Sequence, residues 1–286
     1  MQLPASARPM VIASVLTLLA SSLGAQTMRS TTVARQRQEI RDLSARIEFA
    51  AGTLTVRPAR NAALYRMDLQ YDTERYAPVS RFDAASGELV LGVQNIGTSG
   101  LRVSSRRHLQ QSAVIELSPD VNLSLDVSFG AVEAGLDLGG LRLTDARIRT
   151  TASKSRLRFS QPNRVVCSSL ELNAGAAGFE AIALGNSGCR EIRFDGGMGE
   201  VTLDLTGEWA ADARLIANVA VGGLTLRVPR NLGVELVVDR FLTSFNPAGF
   251  SRSGDRYLSE GYSSRDRHLK IEIKTTVGDI NIEWVN

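Results

Sequence analysis

One short pattern recurs along most of this chain and constrains its fold more than any other feature. It has two apolar residues at offsets 0 and 2, small residues in the middle, and two apolar residues at offsets 9 and 11. Ile192 and Phe194 open one copy, Gly197 and Gly199 fill its centre, and Val201 and Leu203 close it. Further copies start at Leu170 (with Leu172, Phe179 and Ala181), Leu215 (Ala217, Leu224, Leu226) and Ile271 (Ile273, Ile280, Ile282). Weaker ones start at Val127 (Phe129, Leu136, Leu138) and Ile148 (Leu157, Phe159), and a first copy starts at Ala45 (Ile47, Leu54, Val56). Offset 7 is small in every copy: Gly52, Ala134, Ser155, Ala177, Gly199, Gly222 and Gly278.

The central copies begin at residues 127, 148, 170, 192 and 215, so the steps are 21, 22, 22 and 23. Apolar alternation of period 2 marks half-buried strands, and the small residues between them mark a tight corner. A strand-corner-strand unit of about 22 residues is the size of one solenoid coil. Helical spacing is nearly absent. The expected fold is all-β, a stack of coils in which equivalent strands pair in parallel.

That register makes a second expectation. Residues one period apart lie about 4.8 Å apart, so outward charges of opposite sign stabilise a stack and like charges do not. Arg149, Glu171 and Arg193 form one alternating series, Asp137, Arg158 and Glu180 another, and Asp126 with Arg147 a third. Cys167 and Cys189, the only two cysteines, are also 22 residues apart. Stacking places them within bridging distance, leaving either a disulfide or two reduced thiols in a dry core.

Two stretches interrupt the pattern. Between Val56 and Val127 there is room for strands at 64–71, 88–93, 101–105 and 113–117, separated by turn signals. Hairpins here would cap an otherwise open sheet end. The second interruption, 229–268, holds a strand at 234–239 and a polar loop with Asn246-Pro247, Gly249, Gly254 and Gly261. The expected organisation is a signal peptide over 1–25, an N-terminal β cap with the first rung over 26–120, and a solenoid over 121–286. The signal rests on Arg8, an apolar run from Met10 to Leu23 that is too short to span a bilayer, and small residues before Gln26. It predicts export to periplasm or medium.

The boxes GAAGFEAIAL, GGMGEVTLDL and VAVGGLTLRV, with the ending KIEIKTTVGDINIEW and the opening IEFAAGTLTVRP, resemble the toast-rack, or LiaF-like, cell-envelope family. The loop around Asn246-Pro247-Ala248-Gly249-Phe250 and Tyr257 is similar to the family's C-terminal excursion. The resemblance covers roughly residues 40–286. It implies a right-handed single-stranded β-helix and a non-enzymatic envelope role, with no catalytic residues to carry over. Some members restrain a membrane sensor kinase and carry several transmembrane helices, which this chain lacks.

Candidate chemistry is sparse. The net charge is only +3, from 33 basic and 30 acidic residues, so nucleic acid is not the expected partner. His108 and His268, the only histidines, lie far apart in sequence and beside arginines, a solvated setting rather than a metal site. No metal site and no cofactor is expected: the glycine boxes lie between strands, without the helix that a phosphate-binding loop requires. A carbohydrate-active β-helix enzyme is the alternative, and Asp195, Glu200 and Asp204 come closest to a catalytic set. The clusters Arg106-Arg107-His108 and Arg265-Asp266-Arg267-His268 are candidates for contact with anionic polymers or lipid headgroups at the membrane periphery. Phe241, Phe245, Phe250, Tyr257 and Tyr262 crowd one segment, either as a plug for the end of the core or as a binding patch. The expected function is a non-catalytic module that presents a rigid β surface to an envelope protein or an anionic envelope polymer.

Overall fold

A computed structural model describes residues 28–37, 39–96 and 111–286. The signal segment, the strand expected at 101–105 and the Arg106-Arg107-His108 cluster lie outside these residues. The described chain is all-β: β1 (Met28–Gln36), β2 (Asp42–Pro58), β3 (Ala63–Asp72), β4 (Tyr76–Asp83), β5 (Glu88–Asn95), β6 (Ser112–Leu117), β7 (Asn122–Asp137), β8 (Arg142–Arg158), β9 (Cys167–Ile182), β10 (Cys189–Asp204), β11 (Ala213–Pro229), β12 (Gly233–Phe245), β13 (Phe250–Ser253), β14 (Arg256–Ser259) and β15 (His268–Val285). No helix among the described residues is long and apolar enough to cross a membrane.

Strands β2, β7, β8, β9, β10, β11, β15 and β12 pair in that spatial order, each parallel to the next. Their length has a direct geometric consequence. β7 has 16 residues, which would extend about 53 Å if straight. Only Leu138–Leu141 separate its end from the start of β8, which lies beside its own start at the pair Asn122↔Arg142. Such a link spans roughly 18 Å at most, so β7 must turn back on itself at its middle. At four of these bends a glycine takes positive φ: 114° at Gly52, 133° at Gly199, 132° at Gly222 and 143° at Gly278. The result is β-helix-like.

Inward side chains stack in columns. Leu170, Ile192, Leu215, Ile271 and Leu236 are successive register partners, and all five are fully buried. Burying each such side chain stabilises the fold by about 1.5–3 kcal/mol. One apolar cluster runs the length of the molecule, from Leu43 to Ile280.

The register departs from expectation in the early copies. Ile148 pairs with Leu172 rather than Leu170, and Ile47 rather than Ala45 pairs with Val127. Both are slips of two residues. An even slip leaves every side chain on its original face, so the buried pattern cannot resolve it. The charge series change accordingly. Glu171 stands between Arg147 and Arg193, not Arg149, and Glu180 pairs with Arg156, not Arg158. Arg147 Nε meets Glu171 Oε2 at 2.6 Å, while Arg149 reaches diagonally to Asp126 at 2.8 Å.

The ends also differ. The ending KIEIKTTVGDINIEW, which resembles the family's terminal rung, forms β15, and β15 lies between β11 and β12 rather than at the end of the stack. Within 229–268 the strand expected at 234–239 is longer: β12 pairs with β15 through to Phe245, and the polar stretch after it holds the β13–β14 hairpin. At the other end, β2 is flanked by β5 along its first half and by β6 along its second, both parallel. Antiparallel β4 covers β5, and antiparallel β3 and β1 cover β6.

Candidate functional site

Alternation places Thr55 and Arg57 of β2, Gly135 and Asp137 of β7, and Arg156 and Arg158 of β8 on one outer face. Thr55 pairs with Gly135, and Gly135 with Arg156. Gly135 therefore leaves a dip between two longer side chains, and a Cβ added there would meet nothing within 4 Å. Around this dip lies an open groove of about 870 Å³ lined by Arg57, Arg60, Arg156, Arg158, Arg164 and a single acid, Asp137.

Four of these arginines are positioned by ion pairs: Arg57 with Glu116 at 2.8 Å, Arg156 with Glu180 at 2.8 Å, Arg158 with Asp137 at 2.6 Å and Arg164 with Asp120 at 3.5 Å. Arg60 has no acidic partner among the described residues. A guanidinium has five donors in a planar fork, and these contacts occupy only one or two on each. The remaining donors suit carboxylate, phosphate or sulfate oxygens. Burial pushes the Asp137 carboxyl up, but hydrogen bonds from Arg158, Ser160 and Gly139 outweigh it and hold the group below the ordinary aspartate range. It stays charged and fixes Arg158 at the rim.

The residues singled out from sequence are dispersed. Cys167 and Cys189 are register partners joined by a disulfide, with Cα atoms 4.2 Å apart. The aromatics form separate pairs rather than one patch. Phe245 meets Tyr257 edge-on at 5.3 Å, Phe250 meets Trp284 at 5.1 Å, and Tyr262 meets His268 at 4.6 Å. Phe245, Phe250 and Tyr257 pack against the core, whereas Phe241 is 75% exposed. His268 is held structurally, its backbone N–H on Asp212 and its Nε2 3.0 Å from the Tyr262 carbonyl. Asp195 accepts from the Asn218 amide at 2.7 Å, Asp204 accepts from the Thr206 N–H at 2.8 Å, and Glu200 lies against Gly223 on the neighbouring strand. No group of three or more metal-ligating side chains occurs among the described residues.

The arginine groove was missed in the sequence because its members come from three separate segments. Arg156 and Arg158, one residue apart on an outward face, were the available signal.

The family model for the N-terminal domain of toast_rack, DUF2154, matches residues 24–167. This chain belongs to the toast-rack family. The groove's five arginines and Asp137 all lie within that matched segment. Among solved structures, the toast-rack chain is similar to a proposed cell adhesion protein from Clostridium sporogenes, at 14% identity and TM-score 0.49, over 90% of this chain and 100% of that one. It is also similar to a proposed adhesin from Bacteroides fragilis (11% identity, TM-score 0.37, 90% and 98% coverage). A third is a proposed lipid-binding protein from Parabacteroides distasonis (11% identity, TM-score 0.31, 91% and 97% coverage). No curated protein matches the chain.

Proposed function

We propose that this toast-rack protein is an exported, non-catalytic binding module that holds an anionic envelope polymer in the groove between β2, β7 and β8. The signal over 1–25 delivers it to the periplasm or medium. A cap over 26–120 then closes a right-handed solenoid of about 22 residues per coil over 121–286. The observation that carries this reading is the lining of the groove: five arginines against one acid. In a chain whose net charge is only +3, that is a local concentration of cationic donors. The parallel strands beneath fix the spacing of Arg57, Arg156 and Arg158, so a polymer meets three donors already in place.

The test uses the full chain, expressed with its own N-terminal segment and purified after processing by the host. Titration with a poly(glycerol phosphate), a polyuronate and a neutral dextran should show binding to the two anionic polymers only, weakening as salt rises. The triple variant Arg60→Ala, Arg156→Ala, Arg164→Ala should weaken that binding at least tenfold. Equal binding of dextran, or anionic binding unchanged in the triple variant, would overturn the proposal. Polysaccharide cleavage lost on Asp195→Ala or Asp204→Ala would replace it with the hydrolase alternative.

A further inference from the structure

The sheet has several free edges, and all but one are blunted. β1 is polar and carries Arg29 and Arg35, β4 contains Pro78, and β13 has only four residues. β12 is different. One side pairs with β15 along nearly its whole length, but on the other side β14 covers only Glu235–Val237. Among the described residues, 238–245 therefore present one open strand edge. Phe241 and Leu242, 75% and 65% exposed, sit at its centre.

Leu242 also ends a column. Met198, Val221, Val277 and Leu242 are successive register partners on β10, β11, β15 and β12, and all four are exposed. They form an apolar ridge about 14 Å long at the strand spacing of about 4.8 Å. It runs straight to the open edge and stops there.

We propose that the open edge of β12 pairs antiparallel with the same edge of a second copy, across a two-fold axis through Leu242, where the ridge ends. Unpaired backbone donors and acceptors are complementary to another extended backbone. A second copy fits because the window maps onto itself: Leu242 faces Leu242, Phe241 faces Thr243, Arg240 faces Ser244, and Asp239 faces Phe245. No charge meets its like. The ridge then continues unbroken from Met198 of one copy to that of the other. The pairing closes, so it yields a dimer rather than a fibre. An interface of this kind buries on the order of 1,000 Å², the lower end for specific association. The dimer is independent of the arginine groove.

Sedimentation of the full, host-processed chain across a concentration series should show a reversible monomer–dimer equilibrium. Leu242→Lys, at an exposed position, should weaken it more than tenfold, because two lysines would meet on the axis, and Phe241→Lys, which would face Thr243, should weaken it less. Val221→Lys, two strands away, and the triple arginine variant should leave it intact. Leu242→Cys alone under mild oxidation should give a covalent homodimer. A monomer at every concentration, open-ended growth in size, or a dimer indifferent to Leu242→Lys would overturn the proposal.

Discussion

Gly222 and Gly278 lie side by side on adjacent parallel strands, both at positive φ, and a Cβ built on Gly278 would overlap the Gly222 carbonyl oxygen. Gly222 stands in the same relation to Gly199. Three strands thus turn their corners in contact, backbone against backbone. Gly278→Ala combines backbone strain with a steric clash, and we expect it to cost about 3 kcal/mol. At this chain length that lowers Tm by roughly 6–12 °C. Gly135→Ala, with open space at its Cβ, should leave Tm unchanged within about 2 °C. Thermal denaturation followed by circular dichroism measures both.

The Cys167–Cys189 disulfide closes a loop with a sequence separation of 22. Chain entropy assigns such a crosslink about 3 kcal/mol. Reduction, or the double variant Cys167→Ser, Cys189→Ser, should lower Tm by roughly 6–12 °C with little change in strand content. Thiol titration of the unfolded, unreduced protein should find no free thiol.

Asp137 gives acid sensitivity to the rim of the groove. Its pKa is depressed in the folded state, so its contribution is present above the ordinary aspartate pKa and is lost as pH falls through the folded value. Asp137→Asn should therefore lower Tm by about 2–4 °C at pH 7 and have almost no effect near pH 2. A pH series of melts on both proteins checks the sign. A larger deficit at low pH than at neutral pH would contradict it.

The observed register predicts which charges couple. A double-mutant cycle on Arg147 and Glu171 should give a small favourable coupling, as exposed pairs do. The same cycle on Arg149 and Glu171 should give less, because Arg149 is engaged by Asp126. Chemical denaturation of the single and double variants measures both couplings.

Much of this fold was legible because alternation and small corners report a local fact, which face of a strand is buried. Leu170, Ile192, Leu215 and Ile271 could be aligned for that reason. The slip between Ile148 and Leu172 was not legible, since a shift of two preserves every face. β1 was missed because it is an edge strand of mostly polar residues with no buried alternation. The apolar ridge did leave a trace. Offset 6 of the box holds Met198, Val221 and Val277, and Leu242 falls six residues after Leu236. Those positions were read only as part of a corner. Nothing in the order of the chain indicated that β15 follows β11 in space, or that Arg57, Arg60 and Arg164 share a groove with Arg156.

The position of β15 determines when the molecule can be complete. Strands β7 to β11 find their neighbours in the order in which they are made, but β12 must wait, because its parallel partner is the last strand of the chain. A polypeptide cut before His268 leaves the inner faces of β11 and β12 with no strand between them. Leu269, Ile271, Ile273 and Ile280 would be absent from the interior. Residues 268–286 act as a keystone, and a chain cut ahead of them carries its own defect, open to proteolysis.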